Sequence, residues 1–183
     1  EVITRVLDEG EPGVASHLHA AVRRLGEPVI RSAVARAMKE MGRQFVLGET
    51  IAAAMKRGAG MEARGYTYSY DMLGEAARTE ADAQRYLRAY AAAIEAIGKG
   101  CRGQDVRANP GISVKLSALH PRYEESQRAA VMRDLVPRVT RLARMAAVRG
   151  MGFNIDAEEQ DRLVLSRDVI AAVLADPALE GWD

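Results

Sequence analysis

The sequence predicts an α/β protein: the N-terminal portion, about three βα units, of a (β/α)8 TIM-like barrel, preceded by an all-helical segment. Three observations carry this. Short segments rich in β-branched or aromatic residues occur at 66–70, 111–114 and 152–155, with long helical stretches between them. That alternation implies parallel strands joined by right-handed crossovers. Each short segment stops on a charged residue, Asp71, Lys115 and Asp156, at spacings of 44 and then 41 residues. No Gly-x-Gly-x-x-Gly follows the first segment. Asp71-Met72-Leu73-Gly74 is a poor phosphate cradle, which disfavours a doubly wound dinucleotide fold and leaves the barrel.

Residues 1–63 read as helical and 64–183 as the three βα units. Ile30, Val34, Ala37, Met38, Met41 and Phe45 recur at three- and four-residue steps and predict one buried helical stripe. Pro28 fits the first turn of that helix, where a missing N–H costs nothing. A short helix follows from Thr50 to Lys56, which Gly58-Ala59-Gly60 is expected to break. After the first strand, Thr79 and Asp82 resemble a capping box with Asp in place of Glu. Ala83, Tyr86, Leu87, Tyr90, Ile94 and Ile97 then line one face, and Gly98 marks the stop. Val131, Leu135, Val139, Leu142 and Met145 predict the second long helix, with a kink or two joined helices at Pro137. Leu163, Val169, Ile170, Val173 and Leu174 predict the third, ended by Asp176-Pro177.

Length and charge bound the function. The 183 residues suit one domain, yet fall short of the ~250 that a typical barrel takes. The ends, Glu1 and Gly181-Trp182-Asp183, read as a piece cut from something larger. With 26 Lys+Arg against 25 Asp+Glu, the chain is no overall basic nucleic-acid wrapper. The single cysteine, Cys101, excludes an internal disulfide and a multi-cysteine zinc cluster. The longest apolar run, 169–175, is far short of a membrane span, and no signal peptide is visible, so a cytoplasmic setting is expected.

The informative feature is the charge at each strand end. In a barrel the active site is built where strands terminate, so Asp71, Lys115 and Asp156 would converge from three neighbouring strands. A cation at the mouth of an apolar barrel needs an anion, supplied by either aspartate or by a substrate carboxylate. Other candidates are weaker. His17 and His19 lack further ligands at helical spacing, and no metal is expected. His120 reads as a loop anchor. Glu158 and Glu159 read as a solvated first helical turn favoured by the helix dipole. Arg141, Arg144 and Arg149 read as a wet helix face, since no aromatic residues interleave them.

Three strings extend this picture: Tyr68-Ser-Tyr-Asp-Met-Leu-Gly-Glu-Ala-Ala77, Pro110-Gly-Ile-Ser-Val-Lys-Leu-Ser-Ala-Leu-His-Pro-Arg-Tyr-Glu124 and Asn154-Ile-Asp-Ala-Glu-Glu159. Together they strongly resemble the proline dehydrogenase domain, in the version found in bifunctional proline utilization A flavoenzymes. The resemblance implies a distorted barrel holding FAD at the strand C-termini. It implies oxidation of L-proline to Δ1-pyrroline-5-carboxylate by hydride transfer to the flavin, with electrons passing to membrane quinone. By that resemblance Lys115 and Asp156 carry the chemistry, Lys115 and Asp71 bind substrate, and Asp156 and Ala157 adjoin the cofactor. It further implies a homo-oligomer and peripheral association with the inner face of the membrane. No nucleic acid is expected through this segment, nor a ribbon-helix-helix segment before Glu1.

Three strands do not make a barrel of eight, so the segment alone is expected neither to hold FAD tightly nor to turn over proline. Two other readings remain at this point. One is a barrel lyase using Lys115 as a Schiff-base residue. The other is a non-catalytic scaffold fragment whose open sheet edge self-associates.

Overall fold

The computed structural model describes the backbone of residues 14–182 and the side chains of 26–182. The side chains of His17 and His19 therefore lie outside the described residues. The chain divides into two compact units, Glu1–Leu47 and Gly48–Asp183.

Among the described residues of the first unit a helix, α1, spans Val14–Gly42. It runs through Pro28, so the proline is interior to the helix and does not start it. The stripe expected to be buried is exposed: Ile30, Val34, Met38 and Met41 are each more than half exposed and Phe45 is 87% exposed. Helical periodicity reports that one face is apolar, not what covers it.

The second unit begins with α2, Ile51–Glu62, capped by Thr50, whose Oγ1 accepts from the Ala53 amide at 3.2 Å. The glycines expected to end this helix lie inside it. Gly58 serves packing instead: a Cβ there would stand 3.1 Å from both Tyr68 Cε2 and Tyr70 Oη. Three parallel strands follow, β1 (Ser69–Asp71), β2 (Gly111–Val114) and β3 (Gly152–Ile155), in the sheet order β1-β2-β3. The register pairs Asp71 with Ser113 and Val114 with Ile155.

The crossover helices are α3 (Glu80–Gly98) between β1 and β2, and α5 (Arg128–Ala147) between β2 and β3. A four-residue helix, α4 (Leu116–Leu119), directly follows β2, and α6 (Leu163–Leu174) follows β3. The Thr79–Asp82 capping box forms as expected, each side chain meeting the other's backbone amide at 3.1 Å. Pro137 neither splits α5 nor starts a second helix. Val131, Leu135, Val139, Leu142 and Ala146 are buried on both sides of it, and that continuous stripe outweighs one missing backbone bond. Helices α3 and α5 pack against each other, so both crossovers lie on one face of the sheet. Strand side chains alternate between faces. Tyr70, Ile112 and Val114 point into the fully buried helix-side core, whereas Ser69, Asp71, Ser113 and Asn154 occupy the opposite face.

Candidate functional site

At the C-terminal ends of the three strands, Lys115 Nζ lies between two carboxylates. It donates to Asp71 Oδ1 and Oδ2 at 3.0 Å each and to Asp156 Oδ2 at 2.8 Å. The lysine side chain is 16% exposed, against 29% for Asp156 and 42% for Asp71, so the cation is the covered centre and the anions form its rim. Burial by itself lowers the pKa of Lys115, but the hydrogen bonds it donates to Asp156 and Asp71 outweigh that and hold the pKa above the ordinary lysine value. Two carboxylates against one ammonium leave the cluster with a net charge of minus one.

Two residues back along each strand is a polar layer: Ser69 and Ser113 hydroxyls lie 3.0 Å apart, and Asn154 Nδ2 donates to Ser69 Oγ at 2.8 Å. The sequence carries this as a repeated period-two pattern, Ser69-x-Asp71, Ser113-x-Lys115 and Asn154-x-Asp156. The charges at the strand ends point to the site by themselves, whereas the uncharged step behind them becomes legible only when the three strands are aligned.

The corner after β2 is tied to the loops that follow β1 and β3. Ser117 is 4% exposed. Its amide donates to Glu158 Oε2 at 3.0 Å, and its hydroxyl donates to Glu158 Oε1. In return Ser117 accepts from the amides of Ala76, at Oγ and 3.1 Å, and Ala77, at the carbonyl and 2.9 Å. Ala76 takes a left-handed φ of 54° to make this turn. Glu158 is thus no solvated helical residue. Residues 157–159 are not helical, and the carboxylate is drawn inward by two donors that would otherwise be buried and unpaired. Replacing Glu158 by alanine should cost about 1–3 kcal/mol, read as a lower urea midpoint, and Glu158→Gln should recover part of it. An unchanged midpoint in Glu158→Ala would count against this bridge.

His120 behaves as a loop anchor: it is 6% exposed and its Nδ1 accepts from the Arg122 amide at 3.2 Å. Burial, with the Arg138 charge second, lowers its pKa, so the ring is neutral at pH 7. Ala157 is exposed beside Asp156. Cys101 is a free, partly buried thiol. Among the described residues no group of acidic, His or Cys side chains could hold a metal ion, and no helix is long and apolar enough to cross a membrane.

Parallel strands in sequential order, with both crossover helices on one face, define an α/β protein that gathers three charged side chains at its strand C-termini. A family model described as Proline dehydrogenase matches residues 54–183, and one described as DNA-binding domain of Proline dehydrogenase matches residues 1–45. The second match gives the N-terminal segment a relative of a kind that the expectation of no nucleic acid through this segment does not anticipate. The Bifunctional protein PutA of Escherichia coli is 48% identical over 97% of this chain, which covers 14% of that protein. A crystal structure of a Bradyrhizobium japonicum proline utilization A variant is 54% identical, with a TM-score of 0.70 over 96% of this chain and 18% of the other. A structure of proline utilization A with proline bound in remote sites is 56% identical, with a TM-score of 0.69 over 88% of this chain and 17% of the other. The chain belongs to the proline dehydrogenase family, and its α/β fold is similar to the corresponding part of these larger proteins.

Proposed function

We propose that this segment forms the first three βα units of a barrel in an FAD-dependent proline dehydrogenase, which oxidises L-proline to Δ1-pyrroline-5-carboxylate in proline catabolism. Sequential strand order with both crossover helices on one face supports the barrel, because a doubly wound sheet would reverse direction and place helices on both faces. In this reading the helical segment is residues 1–63 and the barrel units are 64–183.

The observation that carries the reaction is Lys115 held between Asp71 and Asp156. Proline is a zwitterion. Lys115 anchors its carboxylate, and Asp71, the more exposed partner, is the carboxylate that releases the ammonium to it. The net negative cluster then faces the ring nitrogen. Once the ring nitrogen has given one proton to solvent, departure of hydride from the ring carbon to a bound flavin would build positive charge on the C–N unit, where Asp71 and Asp156 would stabilise it. A fixed cation on the carboxylate also sets which ring edge is presented.

The strand-end surface fits a flavin. Only Oδ2 of Asp156 is taken by Lys115, which leaves its second oxygen to accept a hydrogen bond, and the small exposed side chain of Ala157 gives a flat ring room to approach. Asp156 and Ala157 would line that cofactor, which when bound supplies the hydride acceptor. Electrons would then pass to quinone from a cytoplasmic, peripherally membrane-associated homo-oligomer.

The raised pKa of Lys115 counts against a Schiff-base lyase, because that chemistry needs a neutral amine. The full-length protein should reduce an artificial dye in the presence of proline and carry a flavin absorbance. The isolated 183-residue segment should do neither. Failure of the full-length protein to oxidise proline, or borohydride trapping of a substrate on Lys115, would overturn the reading.

A further inference from the structure

Tyr90 sits in the middle of α3 with 0% of its surface exposed. Its hydroxyl is the acceptor for the backbone amide of Lys115 at 3.2 Å. The position of that amide explains why an acceptor is needed. Gly111 donates to the Tyr68 carbonyl at 2.8 Å, the first rung of the β1–β2 ladder. Parallel rungs recur every two residues, so the Lys115 amide would look for the Met72 carbonyl. Strand β1, however, stops at Asp71. The Lys115 amide therefore leaves the ladder at a covered corner, and Lys115 has no side-chain cap bond as it opens the four-residue α4.

A phenylalanine would fill the same core volume. A buried hydroxyl without a partner costs free energy, so its presence is accounted for by the bond it makes. Burial also raises the phenol's pKa, so it stays neutral and keeps its lone pairs for the amide.

We propose that Tyr90 is a positioning residue: its hydroxyl replaces the missing rung of β1, fixes the backbone of Lys115, and so aims the ammonium at the substrate carboxylate. This rests on the reading of Lys115 as the carboxylate anchor. The inference adds a buried second element, on a different helix, that sets where the anchor stands.

The test is Tyr90→Phe in the full-length flavin-loaded protein. The Michaelis constant for proline should rise about threefold to tenfold, with kcat changed by less than about twofold. Inhibition by cyclopentanecarboxylate, which keeps the carboxylate and lacks the amine, should weaken by the same factor. Inhibition by pyrrolidine, which lacks the carboxylate, should stay unchanged. In a Lys115→Ala background, Tyr90→Phe should add nothing further.

Leu87→Ala, on the same buried face of α3, controls for packing: it should lower the thermal midpoint and leave the ratio of the two inhibition constants at its unmodified value. The inference is overturned if Tyr90→Phe leaves the cyclopentanecarboxylate constant unchanged, if both inhibitors weaken alike, or if Leu87→Ala reproduces the selective effect. If instead Lys115→Ala itself leaves cyclopentanecarboxylate binding intact, the anchor reading fails, a result distinct from failure at Tyr90. A measurement free of substitutions tests the same bond. In the unmodified protein the Lys115 amide should exchange with deuterium as slowly as the amides of β2, and exchange as fast as the surface turn at 125–127 overturns the inference.

Discussion

Replacing Lys115 by alanine in the full-length protein should raise the Michaelis constant for proline by about 100-fold while flavin stays bound. The magnitude follows from what is removed. A charge-assisted pair between a partly buried ammonium and a carboxylate is worth about 2–3 kcal/mol, or a factor of roughly 30 to 150. The substitution also leaves Asp71 and Asp156 facing each other without the cation that both now share, at 3.0 and 2.8 Å. Two unbalanced carboxylates repel an incoming carboxylate, which adds to the loss. Steady-state kinetics with a flavin spectrum of the purified variant decides the matter. Loss of flavin with an unchanged Michaelis constant would place Lys115 on the cofactor instead.

The same lysine has a defined pH signature. Its pKa is higher in the folded chain than in the unfolded one. The cluster's contribution to stability is therefore fully present below the unfolded lysine value of about 10.4, and is lost only as pH rises through the higher folded value. Across neutral pH Lys115 keeps its charge.

Ile112→Ala should produce the largest loss of stability, about 2–5 kcal/mol. Ile112 is the helix-side residue at the middle of β2, the central strand, and is 0% exposed. Its side chain belongs to a core that also holds the fully buried Tyr90, Leu116 and Leu135, and a close-packed core relaxes only partly into the void left by a large-to-small substitution. Chemical denaturation should show the midpoint fall. Because β2 also carries Lys115, activity near the new midpoint should fall with the folded fraction. A variant with an unchanged midpoint would mean that this layer is looser than its burial indicates.

Much of this architecture is legible from residues alone, for identifiable reasons. β2 and β3 fall on the expected residues because each is a short segment with β-branched or aromatic residues that opens on a glycine. The Thr79–Asp82 cap and the stop at Gly98 are local events, set by the residues themselves. Misreadings arise where a local rule meets a non-local contact. Gly58 looks like a helix breaker, yet it is the space that Tyr68 and Tyr70 require. Pro137 looks like a break, yet the buried stripe runs past it. The apolar face of α1 predicts burial, but a face says nothing of its cover.

The candidate site divides the same way. Asp71, Lys115 and Asp156 are visible because each ends a strand, and parallel strands bring their ends together by construction. Glu158 looks solvated in its local sequence because its partner, Ser117, is 41 residues away. Tyr90 reads as one more member of a helical stripe, and the oxygen that distinguishes it from phenylalanine meets its amide across 25 residues.

By itself, the sequence determined the alternation of strands and helices, the charges at the strand ends and, through three long motifs, the family. Those features depend on residues close together in the chain, where propensity, capping and period act directly. Only the tertiary structure decided that Lys115 is shared between two carboxylates, that Glu158 turns inward and that Tyr90 completes a rung β1 does not supply. Each of these depends on whether a buried polar group finds a partner, and that partner is fixed by packing between distant segments and not by the neighbours in the chain.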